Sequence, residues 1–130
     1  MFQLDPRSSK SIYEQVIDNF KMQIMTGVLP QDSRLPSVRE LSGQLTVNPN
    51  TVQKAYRELE REGYIYTVTG RGSFVSSPGT RTPDPRQQEK LLHDVAGAYR
   101  ELRFLGLSRD EAEEQIRAVI DEAEKGGDRV

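Results

Sequence analysis

The chain has 130 residues, of which 35% are hydrophobic and 29% charged, enough for one modest core and a smaller second element. It has no cysteine and a single histidine, His93, which excludes disulfides and thiolate metal sites and disfavours a zinc site or a histidine-dependent triad. The formal net charge is −2, which excludes a strongly basic protein. Residues 1–76 hold nine Lys or Arg against eight Asp or Glu, and residues 77–130 hold nine Lys or Arg against twelve Asp or Glu, so the acidic excess lies in the C-terminal part.

The first predicted helix begins at a capping box in residues 11–14, where Ser11 and Glu14 can satisfy free backbone N–H groups of the first turn. Apolar residues at helical spacing then predict a buried stripe up to Gly27. The members of this stripe are Ile12, Val16, Phe20 and Ile24. The other face, which we expect to be solvated, holds Gln15, Asp18, Asn19 and Lys21. Contact with phosphate groups at the helix start is the alternative role for that face.

Two short helices joined by a tight turn are predicted next. The second helix begins at another capping box, residues 37–40, and its apolar stripe is Val38, Leu41 and Leu45. Residues 46–48 interrupt it. Asn48 is a good N-cap and Pro49 suits the first position of a third helix, which Gly63 ends.

The third helix divides into two faces at about 100° per residue. Its apolar face consists of Val52, Ala55, Tyr56 and Leu59. Its polar face has amide, ammonium and guanidinium groups and no acid, and consists of Asn50, Gln53, Lys54 and Arg57. Because Asn and Gln can bridge N6 and N7 of adenine while Lys and Arg reach phosphates or guanine, this face is suited to a DNA major groove. The alternative is a solvated face on a domain that binds proteins.

A β-hairpin is predicted after Gly63. Residues 64–69 are rich in β-branched and aromatic side chains, residues 70–72 form a glycine-containing turn, and residues 73–75 return. Arg71 should lie at the tip, where it can touch the DNA backbone or minor groove. The Gly-x-Gly sequence does not indicate a nucleotide site, because it lies between strands and lacks a third glycine. Arg39, Lys54, Arg57 and Arg71 should form a local basic patch.

The C-terminal part is predicted to be a linker and a helical hairpin. Residues 77–85 contain three prolines and no large apolar residue, which is typical of a partly stiffened linker. One helical stripe follows, Gly106 interrupts it, and a third capping box in residues 108–111 begins a second helix. Acids at 110, 111, 113 and 114 are interpreted as a solvated face near a helix start rather than a metal site.

Two helices of this size cannot close a core alone. We therefore expect their apolar stripes to pack on each other and on a second copy of the chain. The predicted dimerisation residues are Leu91, Val95, Tyr99 and Leu102 in the first helix and Ile116, Val119 and Ile120 in the second.

Residues 11–75 closely resemble the DNA-binding domain of the GntR family of bacterial transcription regulators. The resemblance lies in the segments 12–15, 27–29, 35–41, 50–52, 60–63 and 70–75. The sequence of residues 47–51 and a tail of only some fifty residues resemble the YtrA subfamily, whose members have a short helical dimerisation tail. The resemblance implies DNA contacts for Arg39, Asn48, Asn50, Thr51 and Gln53, and for Gly70 and Arg71 in the hairpin. Many members carry arginine where this chain has Pro49 and Gln53. The base preferences of those members therefore do not predict the operator sequence of this chain.

We therefore predict an α+β, mostly α, fold: an N-terminal winged helix-turn-helix domain in residues 1–76, a linker in 77–85 and a dimerisation tail in 86–130. The predicted function is a homodimeric repressor that binds a palindromic operator in double-stranded DNA; the resemblance allows an unidentified small-molecule effector. We predict no cofactor, no metal and no enzymatic activity. With no run of about 18 apolar residues and no signal-peptide core, we expect no membrane partner and a cytoplasmic location.

Overall fold

A computed structural model of the chain describes residues 2–79 and 84–128, with side chains up to Lys125. The chain divides into two compact units, residues 1–80 and 81–129. The first contains α1 (Ile12–Met25), α2 (Val38–Leu45), α3 (Pro49–Arg61), β1 (Ile65–Val68) and β2 (Gly72–Val75). The second contains α4 (Pro85–Phe104) and α5 (Arg109–Asp128). The predicted fold class, a winged helix-turn-helix followed by two helices, is confirmed.

The core of the first unit lies where α1, α2, α3 and the hairpin meet. The apolar faces predicted from periodicity supply it: Val16 and Phe20 of α1 and Val52 and Leu59 of α3 are buried. Tyr56 packs edge-on against Phe20, with ring centroids 5.6 Å apart. This core leaves the opposite face of α3 with no packing role.

Local chemistry sets the helix ends as predicted. Both reciprocal bonds of the capping box form at the starts of α1 and α2. Asn48 caps α3, its side chain accepting a hydrogen bond from the Asn50 N–H at 2.8 Å. Thr46, which ends α2, is left-handed at φ 54° and ψ 51°, and this residue turns the chain from α2 into α3.

The hairpin pairs antiparallel, with Ile65 opposite Val75 and Val68 opposite Gly72. Gly72, predicted in the turn, is the first residue of β2, and the turn comprises residues 69–71. A third extended segment, which the sequence did not predict, lies along β2. There the Leu35 N–H donates to Ser73 O at 2.8 Å and the Val75 N–H to Ser33 O at 2.9 Å. This segment fixes the hairpin next to the start of α2.

The expectation that the second face of α1 is solvated is wrong for Gln15 and Lys21. Gln15 is buried: its Oε1 accepts from the Asp5 N–H at 2.7 Å, and its Nε2 donates to the carbonyls of Asp5 and Lys10, both at 2.9 Å. Lys21 forms a 2.7 Å ion pair with Glu62, with only 24% and 11% of the two side chains exposed. Gln15 thus holds the N-terminal segment on the core.

The second unit is a pair of helices. Asp84 caps α4 and Pro85 occupies its first position, so Pro85 belongs to the helix and not, as predicted, to the linker. Residues 80–83 of the predicted linker, and residues 129–130 of the predicted tail, lie outside the described residues. The predicted capping box at Ser108 forms. Ala112 of α5 is completely buried.

Most predicted dimerisation residues are open to solvent in the single chain. Leu91, Val95, Val119 and Ile120 are each more than half exposed. Tyr99, Leu102 and Ile116 are half-buried. Within the described part of the chain, no helix is long and apolar enough to cross a membrane, and no cluster of His, Cys, Asp and Glu could hold a metal ion.

Candidate nucleic-acid interface

The polar face of α3 is an open surface. Because Val52, Ala55, Tyr56 and Leu59 are buried at helical spacing, the helix can point only its other side outward. Asn50, Gln53, Lys54 and Arg57 are exposed there, and Thr51 is half-buried beside them. The structure therefore brings together the α3 residues that were predicted to touch DNA.

The orientation of α3 relative to α2 is held by one buried side chain. The hydroxyl of Tyr56 donates a hydrogen bond to the carbonyl of Pro36, at 2.7 Å, immediately before the Ser37 cap of α2. Burial raises the pKa of Tyr56 well above its usual range, so the hydroxyl remains a donor at any physiological pH. Asn48, assigned to DNA contact by resemblance, uses its side-chain oxygen in the α3 cap. Its Nδ2 group is then the donor that remains for a ligand.

The four residues of the predicted basic patch make no ion pair with described residues. Arg39, Lys54, Arg57 and Arg71 are exposed, and none of them forms an ion pair with another described residue. These four cations are therefore available to an anionic ligand.

The acids of α3 are occupied elsewhere. Glu58 accepts from Arg61 Nε at 2.9 Å, and this contact lowers the pKa of Glu58 to about 2. Glu60 accepts from the Thr67 hydroxyl at 2.6 Å. With Glu62 paired to Lys21, every acid of this helix end has a partner within the fold. The polar face itself therefore has cations and amides but no carboxylate.

The hairpin carries Arg71 at its tip. Gly70 has φ 79°, a left-handed conformation that suits glycine, and the Arg71 N–H donates to Val68 O at 2.9 Å to close the turn. Residue 71 is exposed.

Sequence reasoning missed Arg34, which lies in the extended segment between the hairpin and α2. Its Nε donates to Arg71 O at 3.3 Å, and one terminal nitrogen is 4.0 Å from Glu40. The sequence feature that could have identified it is Leu35: side chains alternate in direction along an extended segment, so a buried Leu35 places residue 34 on the outer side.

A helix-turn-helix whose second helix has an open, acid-free face, together with an arginine-tipped hairpin, defines a winged-helix DNA-binding protein. Residues 12–75 match the family model described as bacterial regulatory proteins, gntR family. The chain is 38% identical over 127 residues to the HTH-type transcriptional repressor YtrA of Bacillus subtilis, covering 98% of this chain and 97% of that protein. The chain belongs to the GntR family of transcriptional regulators, and this nearly full-length likeness confirms the predicted YtrA subfamily.

Two solved structures extend the comparison. The crystal structure of a transcriptional antiterminator from Listeria monocytogenes EGD-e is 32% identical, with a TM-score of 0.76 over 95% of this chain and 92% of that one. The DNA-binding domain of AraR, crystallised in complex with operator ORX1, is also 32% identical, with a TM-score of 0.51 over 57% of this chain and 92% of that one. The first likeness spans both units, and the second is limited to a little over half of this chain.

Proposed function

We propose that this regulator is a cytoplasmic repressor that binds a palindromic operator as a homodimer. The observation that carries the proposal is the outward face of α3, where two amides and two cations are exposed with no acid and no packing role. The operator-bound AraR domain, which shares the fold of the first unit, supports this use of the face. Repression follows if the bound dimer blocks RNA polymerase at a promoter, and the similarity to YtrA, a transcriptional repressor, supports this role.

The chemistry of the face divides base contacts from backbone contacts. Asn50 and Gln53 can each pair with an adenine edge through two hydrogen bonds, which specifies sequence. Lys54 and Arg57 can bind phosphate oxygens or guanine. Arg71, exposed at the hairpin tip, is assigned to the backbone or minor groove, and Arg39 to the backbone near the start of α2.

The second unit is proposed as the dimerisation element. Large apolar side chains are exposed on both helices of the pair, which is unusual for a monomer. They are Leu91, Val95, Val119 and Ile120. Pairing with a second copy buries them and presents two recognition helices with restricted spacing.

A groove on this unit is assigned to the partner copy. It has a volume of about 620 Å³, and three predicted dimerisation residues, Tyr99, Ile116 and Ile120, line it together with Arg109, Glu113 and Arg117. An effector is the other candidate occupant. Because the groove shares Ile120 with the exposed apolar stripe, we favour the second chain.

Selection from random DNA by the full-length protein tests operator binding. A dimer should enrich an inverted repeat whose half-sites are about 10 bp apart, centre to centre, or a multiple of that. Enrichment of no repeat would contradict the dimeric mode, and no enrichment at all would contradict sequence-specific binding.

Variants then separate base contact from backbone contact. Gln53→Ala should relax base preference at one position per half-site, with a loss of about 1–3 kcal/mol. Arg57→Ala should weaken all sequences alike if Arg57 binds phosphate. Lys125→Ala removes one exposed cation from the other unit and serves as the charge-matched control. Equal affinity of Gln53→Ala and Arg57→Ala with this control would refute the assignment of the face.

Sedimentation tests the tail. The full chain should be dimeric at micromolar concentration, and a truncation ending at Ser77 should be folded and monomeric. The truncation should also bind the whole operator more weakly, by a factor that can reach about 10²–10⁴, because the gain from linking two half-sites is lost. A truncation that stays dimeric would place the interface elsewhere.

A further inference from the structure

A small cleft separates α3 from the hairpin. It has a volume of about 260 Å³. Residues from three elements meet in it, and its polar lining includes Arg34, Ser37, Gln53, Arg57, Thr67 and Ser73. Two arginines from separate elements thus line one small space: Arg34 from the extended segment before α2, and Arg57 from the third turn of α3.

The guanidinium of Arg34 contacts the hairpin through Nε and has no hydrogen-bond partner at its terminal nitrogens. Its Nε donates to Arg71 O at 3.3 Å, and it lies so close to Gly72 that a Cβ there would be 3.1 Å from Nε. Nη1 forms a long ion pair with the Glu40 carboxylate, at 4.0 Å, and the terminal nitrogens make no hydrogen bond to any described residue. Glu40 already accepts from the Ser37 N–H at 2.9 Å in the α2 cap.

A guanidinium whose terminal nitrogens make no hydrogen bond, beside a second arginine, is suited to phosphate. Its parallel N–H groups can bind two oxygens of one phosphodiester, and the planar group is held in place by the hairpin backbone. Glu60 also lines the cleft, but its carboxylate accepts the hydrogen bond of Thr67, and the two arginines leave the cleft with a net positive charge.

The position of the cleft matches the path of a DNA strand. A sugar–phosphate backbone separates the major groove from the adjacent minor groove. If α3 enters the major groove and the hairpin tip approaches the minor groove, that backbone must pass over the space between them.

We propose that Arg34 and Arg57 form a clamp on one phosphodiester of this strand, so that Arg34 is a DNA-binding residue in addition to those of α3 and the hairpin tip. The inference rests on the DNA binding proposed above. Because the clamp joins the hairpin to α3 through the ligand, it sets the register of the recognition helix without specifying a base.

The test uses the full-length protein and the operator obtained by selection, with affinity measured by fluorescence anisotropy over a range of salt concentrations. Arg34→Ala should reduce the slope of log affinity against log salt by up to about 0.9 per protomer, the contribution of one fully neutralised phosphate, because Arg57 remains at that phosphate. Arg34→Lys keeps the charge and should retain the slope. Lys125→Ala, again the matched control, should have the wild-type slope. Melting by circular dichroism establishes that each variant is folded.

Single neutral methylphosphonate groups, placed one by one along the operator, locate the contact. Wild type should lose affinity at one particular phosphate in each half-site, Arg34→Ala and Arg57→Ala should each lose less affinity there, and the double variant should be insensitive at that same phosphate. A wild-type salt slope for Arg34→Ala would overturn the proposal. So would unchanged sensitivity at every phosphate, because Arg34 would then only brace the hairpin. If wild type binds no DNA in the same assay, the proposed function itself fails.

Discussion

Replacing Tyr56 by phenylalanine removes one hydroxyl from the contact that sets the angle between α2 and α3. Tyr56 is 5% exposed, and its hydroxyl lies 2.7 Å from the Pro36 carbonyl. The ring would keep its edge-on contact with Phe20, so the substitution changes a hydrogen bond and almost no packing. It leaves the carbonyl of Pro36 without its donor, at a cost of about 1–3 kcal/mol.

Urea unfolding of the full chain, followed by circular dichroism, measures this loss. With a denaturant slope of about 2 kcal/mol per molar, a 2 kcal/mol loss lowers the midpoint by roughly 1 M. Because Pro36 adjoins the cap of α2, the exchange of the α2 amides with solvent deuterium should also accelerate more than that of α1.

Tyr66→Phe is the matched control. It makes the same chemical change at an exposed residue, whose hydroxyl donates to Asp32 at 2.8 Å and can be replaced by water. Its effect should stay within about 0.5 kcal/mol. If Tyr56→Phe is as stable as wild type, or no less stable than Tyr66→Phe, the hydroxyl does not hold the two helices and the argument from its burial is refuted.

Three further predictions concern the caps and the N-terminal segment. Ser37→Ala should destabilise the first unit by about 0.5–2 kcal/mol in urea unfolding, and a wild-type midpoint would contradict the observed cap. Gln15→Leu removes the side-chain hydrogen bonds to the Asp5 N–H and carbonyl, so limited proteolysis should cut residues 2–10 faster than in wild type; an unchanged rate would show that Gln15 does not hold this segment. Hydrogen bonds with Ser37 lower the pKa of Glu40 below its usual 4.5, so the stability that this carboxylate adds is present above that pH and is lost as the pH falls through the lowered value. Glu40→Gln, which keeps the capping geometry without titrating, should therefore lose less helix signal on acidification, and identical acid profiles would argue against this.

The parts of the fold that the sequence predicted are those determined within one or two helical turns. Capping boxes at Ser11, Ser37 and Ser108 depend on residues three apart, and the buried face of α3 on a single period. The outward face of α3 follows from the same periodicity, so the sequence alone identifies its residues.

What the sequence did not predict are contacts between distant segments. Gln15 binds the backbone of a residue ten positions away, and Lys21 pairs with an acid 41 positions away. Neither contact produces a periodic pattern in the sequence. Arg34 was missed for the same reason: its role depends on the hairpin, 37 residues further along, and on the absence of a side chain at Gly72. The dimerisation surface remains a prediction, since burial in a partner is not a property of one chain.

Thr46 sits in the left-handed region, which a β-branched residue occupies only with strain. The turn between α2 and α3 thus contains a residue whose side chain disfavours the backbone conformation of the turn, and the two helices hold it in that conformation. For protein engineering, position 46 is the natural starting point for a thermostable version of this chain. Asparagine or glycine at this position adopts the left-handed backbone with less strain. The core is already filled by Val16, Val52 and Leu59, so substitutions there offer no comparable gain in stability.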